Sequence, residues 1–295
     1  MNFQPSILFS ILLSIAAPFI GMLILGFDRK ITARMQNRVG PPILQPFYDV
    51  VKLFGKSELM VKKAQILFAL MFVGTLLLST VLLCFGGDLL VIFFLISTGM
   101  IFYTLGAYSV KSGFSFIGGN RELYQMLAYE PIFMLTVFSV GLITKSFRVD
   151  QIFGLEVPLV AIIPLPLVSM MIVFLIKMQK SPFDISTAHT EIISGPMIEY
   201  SGGYLALLKI AHWYEIFLVI GIMSLFFVVP GNPVLTVVSM AAAGLAIYFV
   251  SIIIDNVTAR VHWNTMLRLS AAIGITLIVV NVAIVYIVAY IAGGA

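Results

Sequence analysis

The chain has 295 residues, of which 61% are hydrophobic and only 10% are charged, and its mean hydropathy is +1.10. Soluble domains carry about 25% charged residues, so a water-soluble globule is excluded, and a single cysteine, Cys84, excludes a disulfide scaffold. The formal charge of +4 sits in short loops between apolar runs, which suits a membrane face better than a nucleic-acid binder.

An all-α polytopic membrane protein remains, a single integral membrane domain over residues 1–295. A helix needs about 20 apolar residues to cross a bilayer core. Eight stretches qualify: 6–27, 66–86, 89–110, 123–144, 158–177, 203–229, 234–254 and 270–292. The first is too long for a signal-peptide core and has no small-residue cleavage site, so it is expected to be retained. No repeat, low-complexity tract or long linker interrupts the sequence.

Between the first two spans, residues 28–65 carry eight Lys and Arg. After Pro41 and Pro42, the apolar residues Ile43, Leu44, Phe47, Val50, Val51 and Phe54 recur at helical spacing, with Asp49, Lys52 and Lys56 between them. That pattern predicts an amphipathic helix on the membrane surface or against a partner. Fourteen of the 17 basic residues fall in alternate loops, against Lys145 and Arg148 on the opposite side. The positive-inside rule then expects both termini outside the cytoplasmic membrane and the charged loops in the cytoplasm.

Glu130 lies about seven residues into the fourth span, eight after Glu122 and just before Pro131. A carboxylate at that depth costs several kcal/mol unless it is paired, hydrated or protonated. The sixth span opens on Glu199, Tyr200, Ser201, Gly202 and Gly203, and Lys209, His212 and Glu215 follow at three-residue steps. A helix from about Met197 to Val229 would approach 50 Å and must tilt or break, with Gly202 and Gly203 as the place. These groups suggest either a structural pair, Lys209 with Glu215 or Glu130, or an ion-coupling relay through Glu130, Glu199, Lys209, His212 and Glu215. The loop 178–196 holds Asp184, His189 and Glu191 among Phe183, Ile185, Ile192 and Ile193. Such a mixture points to a protein contact; the spacing fits no common zinc signature. The sequence has no phosphate-binding loop, dinucleotide fingerprint or cysteine cluster, so no cofactor is expected on this chain.

Three charged segments carry a family resemblance. DRKITARMQNRVGPPILQPFYDVVKLFGKSE, NRELYQMLAYE and SPFDISTAHTEIISGPMIEYSGG resemble, in order, the loops of the complex I membrane subunit 1 (H chain) family. They are most similar to its counterpart in energy-converting, membrane-bound NiFe hydrogenases. The matched residues are Gln36, Asn37, Arg38, Gly40, Pro41, Gln45, Asp49, Lys52, Leu53 and Lys56, then Glu130, then Pro182, Phe183, Asp184, Glu191, Gly195, Glu199, Tyr200, Ser201 and Gly202. Quinone-reducing members have acidic residues where this chain has Thr187 and His189, and a glutamate in place of His212. The resemblance implies a subunit without its own redox centre, coupling electron transfer to proton or sodium movement. It implies peripheral iron–sulfur and NiFe-type catalytic subunits, antiporter-like and small membrane subunits, and ferredoxin as donor; a sulfur-reducing relative would share the fold. Arg38, Asp49, Lys52, Lys56, Asp184, His189 and Glu191 are the residues expected to meet the peripheral arm.

Overall fold

The computed structural model describes residues 7–59 and 62–293, without the side chains of 189, 190 and 288–293. In chain order the helices are α1 (Ile7–Met35), α2 (Gln45–Phe54), α3 (Lys63–Cys84), α4 (Leu89–Tyr108), α5 (Gly113–Thr144), α6 (Val149–Ile152) and α7 (Leu159–Ile162). They continue with α8 (Pro164–Lys177), α9 (His189–Ile192), α10 (Gly202–Ser224), α11 (Pro233–Val257), α12 (Trp263–Leu269) and α13 (Thr276–Gly293). Among the described residues, seven helical runs are long and apolar enough to cross a membrane, the last of them running from α12 through a π-helical turn into α13.

The expected span 158–177 is where the pattern changes. Ile163 is not helical, and Pro164 opens α8, leaving a helix of 14 residues, about 21 Å long. That is short for a bilayer, yet Met170, Val173, Phe174 and Ile176 are fully buried. α8 lies inside the bundle, packed against α5, α10 and α13, so neighbouring helices replace lipid around it. Ser169 Oγ donates to the Gly274 carbonyl at 3.0 Å, partnering an oxygen in the π-helical turn at Ser270–Ile275, where the usual helical ladder is interrupted.

Two helices outrun their apolar cores. α1 continues past residue 27 to Met35, and α5 begins at Gly113, ten residues before the expected span, so that Arg121 and Glu122 stand on a helix and not in a loop. The long sixth helix does break where its glycines stand: α10 begins at Gly202, whose φ of +52° suits glycine. Near its middle, α10 meets α1 so closely that a Cβ on Gly21 would collide with the Trp213 carbonyl. α2 turns Val50 inward, onto Met22, Ala206 and Trp213, so the amphipathic helix packs on its own chain. Phe47, Tyr48, Val51 and Phe54 stay exposed.

Ion pairs tie the charged segments together at one end of the bundle. Arg29 meets Asp49 at 2.8 Å, Lys180 meets Asp28 at 2.9 Å, and Arg260 meets Asp184 at 2.7 Å. At the opposite end Asp88 caps α4 through the Leu90 amide and forms a backbone bridge with Arg148.

Candidate functional site

The bundle interior is expected to hold apolar side chains, and for most of its volume it does. The exception is where α4, α5, α8 and α10 meet. Lys177 closes α8 and points its ammonium at Glu215 of α10, 2.7 Å away. The two side chains are 0% and 6% exposed, so the pair is sealed from water. A buried ion pair survives only when its attraction and hydrogen bonds offset several kcal/mol of lost hydration per ion. Here Lys177 also lies over the Tyr129 ring, 4.7 Å from its centroid, with the phenol oxygen at 3.5 Å. His212 Nδ1 stands 3.5 Å from the second Glu215 oxygen.

Two further acids face this pair. Glu122, one turn before Gln125 on α5, is 3% exposed and accepts a long bond from Gln179 at 3.4 Å; Lys177 and Glu215 are both within its electrostatic reach. Glu130, two turns further along the same face, is half-buried, lies beside Ser97 of α4 and feels Lys177. Its Oε1 has no hydrogen-bond partner among the described residues. Three carboxylates therefore lie within electrostatic reach of one buried lysine. Such an excess is stable only if a proton or bound water makes up the balance. The arrangement can take up, hold and release charge inside the membrane.

The residues singled out in the sequence separate into groups. Glu130, His212 and Glu215 come together around Lys177. Lys209 does not join them: six residues before Glu215, it is turned about 120° away on α10. Its electrostatic neighbours are Arg29 and Asp49. Glu199 precedes α10, half-buried, and makes no ion pair among the described residues. Its neighbour Tyr200 is buried, and burial pushes that phenol above its ordinary value. By sequence, Lys177 counts among the basic residues of the cytoplasmic loops, because a lysine ending an apolar helix resembles one that snorkels to water. The signal was arithmetic: three interior acids with only Lys209 opposite them call for a second cation.

The surface set also divides. Arg38, Lys52 and Lys56 are exposed. Asp49 is held by Arg29 and Gln45, at 2.8 and 2.9 Å; burial raises its carboxyl, but the Arg29 and Gln45 hydrogen bonds outweigh that and keep it below its ordinary value. Glu191 receives Arg121 at 2.6 Å and Arg260 at 3.7 Å, and the hydrogen bond from Arg121 holds its carboxyl low. Asp184 pairs with Arg260. The side chain of His189 lies outside the described residues. Among the described residues no three His, Cys, Asp or Glu side chains converge as a metal site.

Comparison with known proteins extends these observations. A family model described as NADH dehydrogenase matches residues 7–286. Hydrogenase-4 component C of Escherichia coli (strain K12) is 33% identical over 201 residues, 62% of this chain and 63% of that protein, so the match spans under two thirds of its length. NADH-ubiquinone oxidoreductase chain 1 of Paracentrotus lividus is 34% identical over 221 residues, covering 68% of this chain and 67% of the other. Among solved structures, a chain of the membrane-bound sulfane sulfur reductase (MBS), an archaeal respiratory membrane complex, superposes with a TM-score of 0.86 at 27% identity, over 94% of this chain and 98% of that one. A bundle of apolar spans built around buried charge, matched by one family over almost its full length, is a membrane subunit of complex I-like complexes: the chain belongs to the NADH dehydrogenase subunit 1 family.

Proposed function

We propose that this subunit couples electron transfer in a ferredoxin-dependent, membrane-bound hydrogenase to ion translocation. The observation that carries the proposal is the Lys177–Glu215 pair, buried and outnumbered by acids. In this reading the charged end of the bundle faces the cytoplasm and receives peripheral iron–sulfur and NiFe-type subunits. Arg38, Lys52 and Lys56 offer exposed cations to them, while Asp184 and Glu191 hold the loop 178–192 in place. Redox or protonation events in the arm alter the field at this loop. Because Gln179 and Ser186 of the loop border Glu122, movement there changes how charge is shared among Glu122, Glu215, Lys177 and Glu130. In a low-dielectric interior each such change is worth kcal/mol. Antiporter-like and small membrane subunits carry the ion onward. The hydrogenase assignment draws on the likeness to hydrogenase-4 component C and on His212 and Thr187 standing where quinone-reducing members are acidic.

The test is Glu215→Gln and Glu130→Gln in the intact complex, assayed in inverted vesicles. The expected outcome is hydrogen evolution without a matching ion gradient; a gradient at the parental level in both variants would sink the proposal. A second reading, the equivalent subunit of a sulfur-reducing complex, is favoured by the extent of the superposition on the sulfane sulfur reductase chain. Nickel content and hydrogen evolution of the purified complex separate the two readings.

A further inference from the structure

α1 and α11 pack on α10 and on each other. Tyr248 of α11 donates to Asp28 of α1 at 3.0 Å, which pins the two helices together at the charged end. Toward the other end a crevice of about 500 Å³ opens between them, walled by Phe9, Leu23 and Phe27 of α1 and by Met240 and Leu245 of α11. Its floor is α10, at Ile220 and Ser224.

From Phe9 to Phe27 along α1 is about 27 Å, so the crevice is elongated along the helices. Its walls are almost wholly apolar, and they offer a hydrocarbon chain the contact that stabilises buried methylenes.

The charged end of the same groove adds a second feature. One turn beyond Phe27, the α1 stripe continues through Lys30, Ile31 and Arg34, and the α11 stripe continues from Leu245 through Phe249 and Ile253. Lys30 and Arg34 are one helical turn apart, on one face. Other charges near this end have partners: Arg29 has Asp49, and Asp28 and Asp255 both have Lys180. Lys30 and Arg34 have no carboxylate partner among the described residues. Two cations stand about one turn beyond the crevice, along the same two helices.

We propose that the α1–α11 groove is a binding site for an anionic phospholipid, with the phosphate between Lys30 and Arg34 and one acyl chain in the crevice. Basic pockets between transmembrane helices on the cytoplasmic side bind anionic headgroups in this way. The site is independent of the coupling cluster. A bound chain fills the wedge between α1 and α11 and continues the packing that Asp28 and Tyr248 provide above it.

The experiment uses the intact complex in nanodiscs, with a phosphatidylglycerol or a phosphatidylcholine that carries a photoreactive acyl chain, and adducts mapped by mass spectrometry. With phosphatidylglycerol, adducts are expected on peptides containing Phe27 and Leu245. Lys30→Gln with Arg34→Gln should lower them about 30-fold, as two near-surface charges imply. Ala241→Trp, which plugs the crevice, should remove them with either lipid. Equal labelling by both lipids, unchanged by the charge variants, would overturn the headgroup site. Absence of adducts on α1 and α11, together with cross-links from these helices to another subunit, would show that protein covers the groove and overturn the proposal entirely. Should Ala241→Trp fail to assemble, the charge variants alone decide the outcome.

Discussion

Lys177 and Lys180 are three residues apart and both are nearly sealed from solvent, with side chains 0% and 6% exposed, yet their surroundings differ. Lys180 meets Asp28 at 2.9 Å and Asp255 at 3.7 Å and lies over the Tyr248 ring. Each of its carboxylates has another donor as well: Tyr248 on Asp28, and the Ser181 amide on Asp255 at 2.8 Å. That cluster is saturated. It joins α1, α11 and the loop after α8, and every proton has one place to be. Around Lys177 three carboxylates face a single lysine, and one oxygen of Glu130 is unmet. The comparison teaches that burial alone does not distinguish a saturated staple from a cluster with capacity to spare. The distinction lies in whether the hydrogen-bonding capacity of the buried charges is filled.

The largest effect is expected at the unsaturated cluster. Lys177→Met leaves Glu215 buried with only His212 beside it, and breaking a buried pair from one side costs about 3–5 kcal/mol. The variant complex should melt early or assemble poorly. Lys177→Met combined with Glu215→Leu removes both charges and should regain most of the thermal stability, while ion translocation stays absent. Full translocation by the double variant would erase the functional half of the comparison. At the saturated cluster, Lys180→Met should cost less, about 1–3 kcal/mol, because Asp28 and Asp255 keep other donors and reach some solvent. Each complex that does assemble should translocate ions at the parental ratio to electrons, measured per complex; a lowered ratio would mean that the staple also works in coupling.

Much of this was legible beforehand. The membrane spans follow from runs of apolar residues, and the break at Gly202 follows from a helix too long for the bilayer combined with two adjacent glycines. The family was readable from three ordered charged segments. Other features were hidden because they depend on partners distant in sequence. Lys177 looked like a helix end, and only the approach of α10, 38 positions later, makes it an interior cation. Lys209 looked like part of one ladder with Glu215, but 120° of helix rotation was enough to turn it toward α2. Residues 113–122 stood outside the expected span 123–144 because their polarity marks the membrane boundary, whereas helicity there depends on packing against Gly195 and Pro196, which approach Gly118 closely. The isolated span 158–177 was apolar enough to cross, and nothing local announces that other helices enclose it.

A smaller effect separates the loop from both clusters. Glu191 is ionised below its ordinary value of 4.5, chiefly by the hydrogen bond from Arg121. Because the folded value is depressed, its contribution to holding the loop 178–192 is complete above the unfolded value and fades as pH falls through the folded one. Protection of this loop's amides, relative to their intrinsic exchange rates, should therefore fall on acidification below about pH 4.5, and Glu191→Gln should show the lowered protection already at neutral pH. Protection that ignores both changes would mean that Arg121 and Arg260 do not tether the loop through Glu191.

The smallest stability effect belongs to charges in neither cluster. Lys52 and Lys56 are exposed on and just after α2, and substitutions at such sites usually change stability by no more than about 0.5 kcal/mol. Lys52→Ser with Lys56→Ser should leave the melting temperature of the membrane part unchanged. Their cost should appear only where another protein's acidic surface meets them, as faster loss of the peripheral arm when salt is raised, since exposed pairs are screened over about 8–10 Å at moderate ionic strength. If the arm dissociates at the same salt concentration with and without these lysines, α2 is not where it is held, and the exposed Phe47, Val51 and Phe54 beside them must be explained by lipid contact instead.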